Sequence, residues 1–224
     1  MTYLELEQLL KGSADKKFAD FSKSLSNSDY LSIGVKNPVL RQIIKEHVND
    51  NELKLDDFKL GKYLEVDFIY FGLALSRLKS IDEQLDFLKN NIKKAKSWAI
   101  TDTLSTYLKK CSFDKYWNLF MSLFNTKYTY ERRLAFVLGL KYYKDKEILK
   151  ILPYIRTNEE YMVMMAEAWL LATLAITYQD EIFYFLKECD DLTLKRKTIS
   201  KICDSYRFTD DDKNRFKALR QQSA

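Results

Sequence analysis

Apolar residues recur at three- and four-residue intervals along almost the whole chain, the spacing that gathers them on one face of a helix. Segments with that period are 2–11, 14–25, 37–49, 54–62, 64–79, 81–91, 95–110, 113–124, 129–143, 145–155, 158–178, 180–188, 192–204 and 209–221. The pattern predicts an all-α protein. Asn27-Ser-Asp29 and Gly34 to Pro38 form the longest early interruption. Pro38 suits the first turn of a helix, where its missing N–H leaves no bond unmade. Ser80, Ser112 and Asp190-Asp191 read as caps or turns. Connections are short, so neighbouring helices are expected to pack antiparallel. Helix pairs recurring at roughly 35–45 residues suggest an α-solenoid of the HEAT or armadillo kind over a single domain, 1–224. The repeat is structural, without internal sequence identity, and a compact helical bundle is the alternative.

Composition narrows the function classes. Five Gly and two Pro in 224 residues leave few helix breakers, and 46% hydrophobic content excludes disorder. The net charge of +5 suits a polyanion only where it is clustered. Basic residues do collect at Lys36 and Arg41; at Lys89, Lys93, Lys94 and Lys96; at Arg132, Arg133 and Lys141; and at Lys195, Arg196, Lys197 and Lys201. Each cluster alone fits an ordinary solvated helix face, whereas spaced together they suit a phosphate backbone.

The catalytic alphabet is small. His47 is the only histidine and sits in a helical pattern with Leu40, Ile43 and Ile44, which disfavours Ser-His-Asp or Cys-His chemistry. No His and Cys spacing suits zinc, so no metal site is expected. Neither GxGxxG nor a P-loop is present, so no nucleotide cofactor is expected. Cys111, Cys189 and Cys203 are odd in number and form no CxxC pair, which predicts buried free thiols in a reducing, cytoplasmic setting. No segment reads as a signal peptide or a transmembrane helix, so no membrane partner is expected.

Two tryptophans stand out. Trp98 and Asp102 are four apart and therefore neighbours on one helix face. The apolar stripe of their helix reads as Leu104, Tyr107, Leu108 and Cys111, which puts Asp102 about 160° and Trp98 about 120° away from it. A second helix layer over that face would make Trp98 a core residue; without one, an indole and an acid share an open surface. Arg132-Arg133 leads into Leu134–Leu140, apolar on nearly all sides, so Arg133 needs an anionic partner such as Asp102 or a phosphate. Trp169 lies among small residues in Ala166-Glu-Ala-Trp-Leu-Leu-Ala172, as a core tryptophan or an approachable ring. Trp117, with Tyr116, Leu119, Phe120 and Leu123, reads as core.

Together these residues resemble the AlkD-like DNA alkylation repair family, the HEAT-like-repeat DNA glycosylases. The landmarks are Ile33-Gly-Val-Lys-Asn-Pro38 with Arg41, Trp98 with Asp102, Arg132-Arg133-Leu-Ala with Leu140-Lys-Tyr142, Ala166-x-x-Trp169, and Leu192-Thr-Leu-Lys-Arg-Lys197. The resemblance implies a curved α-solenoid with a basic concave face that holds duplex DNA. It implies excision of positively charged N3- and N7-alkylated purines, by a monomer without metal or cofactor. Asp102 then matches the catalytic carboxylate, Trp98 and Trp169 the aromatic walls, and Arg133 the supporting arginine. Lys36, Asn37, Arg41, Arg132, Lys141, Lys195, Arg196 and Lys197 are the expected DNA-binding residues. The chain departs from the family pattern at Ala99, where an acid is usual, and at Met165, where a basic residue is usual. Ala172 and Thr173 stand where an arginine and a glutamate are common. A non-catalytic DNA-binding relative and a protein-interaction scaffold are the alternative readings.

Overall fold

The computed structural model describes residues 1–220 except 27–28 and 156–158, with Ser26 as backbone only. Three sequence expectations therefore lie partly outside the described residues: the interruption at Asn27-Ser28, the start of helix 158–178 and the last residue of helix 209–221. The described residues form an all-α protein. Its helices are α1 (Tyr3–Gly12), α2 (Lys16–Ser26), α3 (Asn37–His47), α4 (Leu64–Arg77), α5 (Ile81–Asn91), α6 (Trp98–Tyr107), α7 (Phe113–Phe124), α8 (Thr129–Gly139), α9 (Tyr161–Leu174), α10 (Gln179–Glu188), α11 (Leu192–Asp204) and α12 (Asp210–Ala218). Backbone contacts divide the chain into two compact units, Met1–Lys110 and Cys111–Ala224.

Helix starts follow local chemistry. Ser80 accepts from the Glu83 N–H while Glu83 reaches back to the Ser80 N–H, a capping box. Ser112 and Asp191 accept first-turn N–H groups of α7 and α11. Pro38 occupies the first turn of α3.

In the first unit α4 packs on α3 and on α6. Gly72 permits that approach, because a Cβ there would meet Ile44 Cδ1 at 2.4 Å and Tyr107 at 3.2 Å. In the second unit α7 packs on α8, α8 on α9, α9 on α11 and α11 on α12. Inner helices also pack on the second helix along, α4 on α6 and α9 on α11, in keeping with the stacking of an α-solenoid. Helices in the middle of each stack are covered nearly all round; α4, α8 and α9 keep few open positions. Phe113, Tyr116, Trp117, Phe120, Phe136 and Tyr154 build an aromatic core beneath α7 and α8.

Two expected helices take another form. Segment 54–62 holds only a 3₁₀ turn, Leu55–Asp57. It stops short because Gly61 takes φ +88 and Tyr63 pairs with Leu31 in an isolated parallel bridge. Segment 145–155 is a 3₁₀ run, Lys146–Tyr154, with Pro153 inside. Its buried residues, Ile148 and Ile151, are three apart and align at three residues per turn, whereas Pro153 cannot donate the bond an α-helix needs there.

Candidate functional site

Helix α6 starts at Trp98 because Ser97, fully buried, accepts the Ala99 N–H. It ends at Tyr107, so Cys111 is not on its stripe, and its buried side chains are Ile100, Thr101, Thr103, Leu104 and Ser105. Both flanks of α6 are therefore covered. What remains partly open is one line of residues spaced four apart, Trp98, Asp102 and Thr106, with Ala99 beside it and Tyr107 at the helix end. The indole N–H of Trp98 donates to the Leu25 carbonyl at 3.0 Å, which orients the ring against the end of α2. Thr106 Oγ1 donates to the Asp102 carbonyl at 3.0 Å.

Next to the indole lies an apolar cavity of about 210 Å³, walled by Phe18, Phe21, Leu25, Leu40, Phe68 and Trp98. Phe21 and Leu25 are exposed at 58% and 48%, so the α2 wall faces solvent. On its inner side is Glu65, 2% exposed. Its carboxylate accepts the Ile33, Gly34 and Val35 N–H groups at 3.0, 2.9 and 3.3 Å and the Ser32 hydroxyl at 2.8 Å. That clamp fixes the turn that presents Lys36 and Asn37 at the start of α3. Both are exposed, as is Arg41 one turn on. Arg41 lies close enough to Tyr107 to oppose the upward push of burial on its hydroxyl pKa.

The second unit repeats the arrangement on α9. This helix is buried at Val163, Met164, Ala166, Glu167, Ala168, Leu170, Leu171, Ala172 and Leu174. Its less covered line is Tyr161, Met165, Trp169 and Thr173, again four apart. Trp169 is 38% exposed, and Thr173 Oγ1 donates to its carbonyl at 2.9 Å. Arg133 is 6% exposed, and its Nη1 donates to the Met162 carbonyl at 2.7 Å, tying α8 to the first turn of α9.

The remaining basic residues divide by burial. Arg196 and Lys197 are exposed, and Lys197 lies 5.9 Å over the Tyr161 ring. Lys141 is half-buried in a 3₁₀ turn, Leu140–Tyr142, and burial lowers its pKa from the usual lysine value. Arg132 pairs with Glu159 at 3.3 Å and Glu160 at 3.0 Å. Lys195 is only 5% exposed. A phosphate meets Lys36, Arg41, Arg196 and Lys197 more readily than these last two.

Spacing put Trp98 with Asp102 on one line and Trp169 on another. It missed Glu65, Phe21 and Leu25. The available signal for Glu65 was a pair of acids, Glu65 and Asp67, inside the otherwise apolar α4. His47 is half-buried, with Nδ1 2.9 Å from Asp50 Oδ2. Cys111, Cys189 and Cys203 are free and half-buried rather than fully buried. Among the described residues no cluster of His, Cys, Asp or Glu is arranged to hold a metal. No helix among them is long and apolar enough to cross a membrane.

A family model described as DNA alkylation repair enzyme matches residues 6–203. No curated protein matches the chain. A solved structure from Enterococcus faecalis, described as a predicted DNA alkylation repair enzyme, is 18% identical with a TM-score of 0.67. The match covers 86% of this chain and 98% of that one, and at this identity the likeness is one of fold.

Proposed function

From the premise that this chain belongs to the DNA alkylation repair enzyme family, we propose that it is a DNA glycosylase excising N3- and N7-alkylated purines from duplex DNA. The observation that carries the reading is the half-open pair Trp98 and Asp102 on the open line of a helix whose flanks are covered. A residue kept only for packing would be covered like its neighbours.

The chemistry suits these groups. Alkylation at N3 or N7 gives the purine a positive charge, so the base leaves with the bonding pair as a neutral molecule. No strong general acid is needed, in keeping with a site that draws on no histidine. The deoxyribose is left oxocarbenium-like at C1′. Water then adds to C1′ and loses a proton, giving an abasic site and the free base. In our assignment the Asp102 carboxylate stabilises the sugar cation and orients that water. An indole face such as that of Trp98, or of Trp169 in its own unit, attracts a cationic lesion by about 0.5–2 kcal/mol. Arg133 supports the site from the interior of its unit. Exposed Lys36, Asn37, Arg41, Arg196 and Lys197, with half-buried Lys141, bind phosphate. The protein acts as a monomer without metal or cofactor.

The test is duplex DNA methylated at purine N3 and N7, with the freed bases identified by mass. Release of 7-methylguanine and 3-methyladenine, and not of guanine or adenine, is expected. A second reading is a DNA-binding relative without base release. It is favoured by Met165 and Ala172, uncharged residues beside Trp169 where the family pattern has cations. It predicts salt-sensitive binding with no base freed.

A further inference from the structure

An open depression of about 410 Å³ adjoins Trp169 in the second unit. Its walls include Trp169, Ala172 and Thr173 of α9, Lys201 and Asp204 from the end of α11, and Arg207 just beyond it. Ala172 is 6% exposed and its methyl group brings no charge to the α9 wall. The charge comes from α11 and the turn after it. Arg207 is exposed, and its guanidinium has no hydrogen-bond or ion-pair partner among the described residues. Lys201 is half-buried in the last turn of α11, where a cation also complements the helix dipole. Asp204, exposed, sets one negative charge against the two cations.

We propose that Lys201 and Arg207 form a phosphate-binding subsite beside Trp169, gripping the DNA backbone next to the base the indole faces. The inference deepens the proposed function, since it takes duplex DNA as the ligand. A partnerless guanidinium lining the same depression as an exposed indole suits a nucleotide better than it suits packing. Arginine meets phosphate with two parallel N–H donors, and the ring covers the adjoining sugar or base. The cations that the family pattern carries along α9 are thus supplied here from α11 and its C-terminal turn. Asp204 weakens the subsite, so each of its three charges has a defined sign of effect.

The experiment is the salt dependence of binding to a duplex oligonucleotide, unmodified and methylated. Removing a phosphate contact weakens binding equally on both duplexes and lowers the slope of log affinity against log salt by about 1. Arg207→Gln alone is expected to lower the slope by about 1, and Lys201→Gln with Arg207→Gln by about 2. Asp204→Asn is expected to tighten binding. Lys187→Gln with Lys217→Gln, an equal charge loss at exposed positions of α10 and α12, is expected to leave the slope unchanged. Slopes for the Lys201 and Arg207 variants equal to wild type or to that control overturn the subsite. So does weaker binding by Asp204→Asn. The readout is binding rather than base release. A wild-type protein that binds with these slopes but frees no base supports the subsite while refuting the glycosylase. One that frees bases with unaltered slopes does the reverse.

Discussion

The Trp98 indole N–H is bonded at 3.0 Å to the Leu25 carbonyl, in the last turn of α2 and 73 residues away in sequence. The ring is thereby held at a fixed angle above the apolar cavity, one helical turn from Asp102. Trp98→Phe keeps an aromatic face but leaves the carbonyl without this donor. A loss of about 0.5–1.5 kcal/mol is expected in denaturant unfolding. Base release should slow several-fold through the looser ring, and Trp98→Ala should slow it further. Wild-type stability in Trp98→Phe would show that the bond does not hold the ring.

Gly34 is the second fixed point. Its φ is +92, and a Cβ would lie 2.1 Å from the Asp15 carbonyl oxygen, a backbone atom that cannot step aside. Gly34→Ala is expected to destabilise the first unit by roughly 1–3 kcal/mol. It should also weaken DNA binding, because the turn that presents Lys36 and Asn37 is rebuilt. Urea unfolding and a binding titration check the two effects separately.

Asp67 provides the pH prediction. It is fully buried, and burial raises its pKa above the usual aspartate value despite hydrogen bonds from Tyr30 at 2.5 Å and the Gly61 N–H. Folding therefore binds a proton between the unfolded pKa and the higher folded one. That contribution is complete below the unfolded value and is lost as pH rises through the folded value. Asp67→Asn keeps an acceptor and removes the titration. The stability of the variant relative to wild type should rise with pH across that window. A difference independent of pH would show that Asp67 titrates normally.

Arg133 donates from Nη1 to the Met162 carbonyl at 2.7 Å within a nearly closed interior. Lysine keeps the charge but not the planar fork. Arg133→Lys is expected to lower stability by about 1–3 kcal/mol, and Arg133→Met to show whether charge or shape matters more. Thermal melts of both variants decide it; a melt at the wild-type temperature for Arg133→Lys would count against a geometric role.

Long helices with a clear period were legible in the sequence: α11 spans Leu192–Asp204, the segment the pattern predicts. The two 3₁₀ segments were not. A spacing of three suits both helix types, and what separates them is Pro153 in one segment and Gly61 with the Leu31–Tyr63 bridge in the other. For the candidate site, spacing placed Trp98 and Asp102 on one line of α6 and rightly took Leu104 and Leu108 as buried, but it missed Ile100, Thr101, Thr103 and Ser105, because coverage of both flanks depends on helices distant in sequence. Glu65 and Arg207 were hidden for a related reason. The clamp of Glu65 on Ile33–Val35 closes over 30 residues, and Arg207 lines the depression at Trp169 from two helices further along the chain. The acid pair in apolar α4 is the one local signal for Glu65, and Arg207 has none.

Single-turnover release of 7-methylguanine from methylated duplex, with protein in excess, tests the central claim most directly. The wild-type chain is expected to free the base. Asp102→Asn, nearly identical in shape but uncharged, should free it about 10²–10³-fold more slowly while binding the duplex as well. No release by the wild type, or equal rates for the two proteins, would contradict the account.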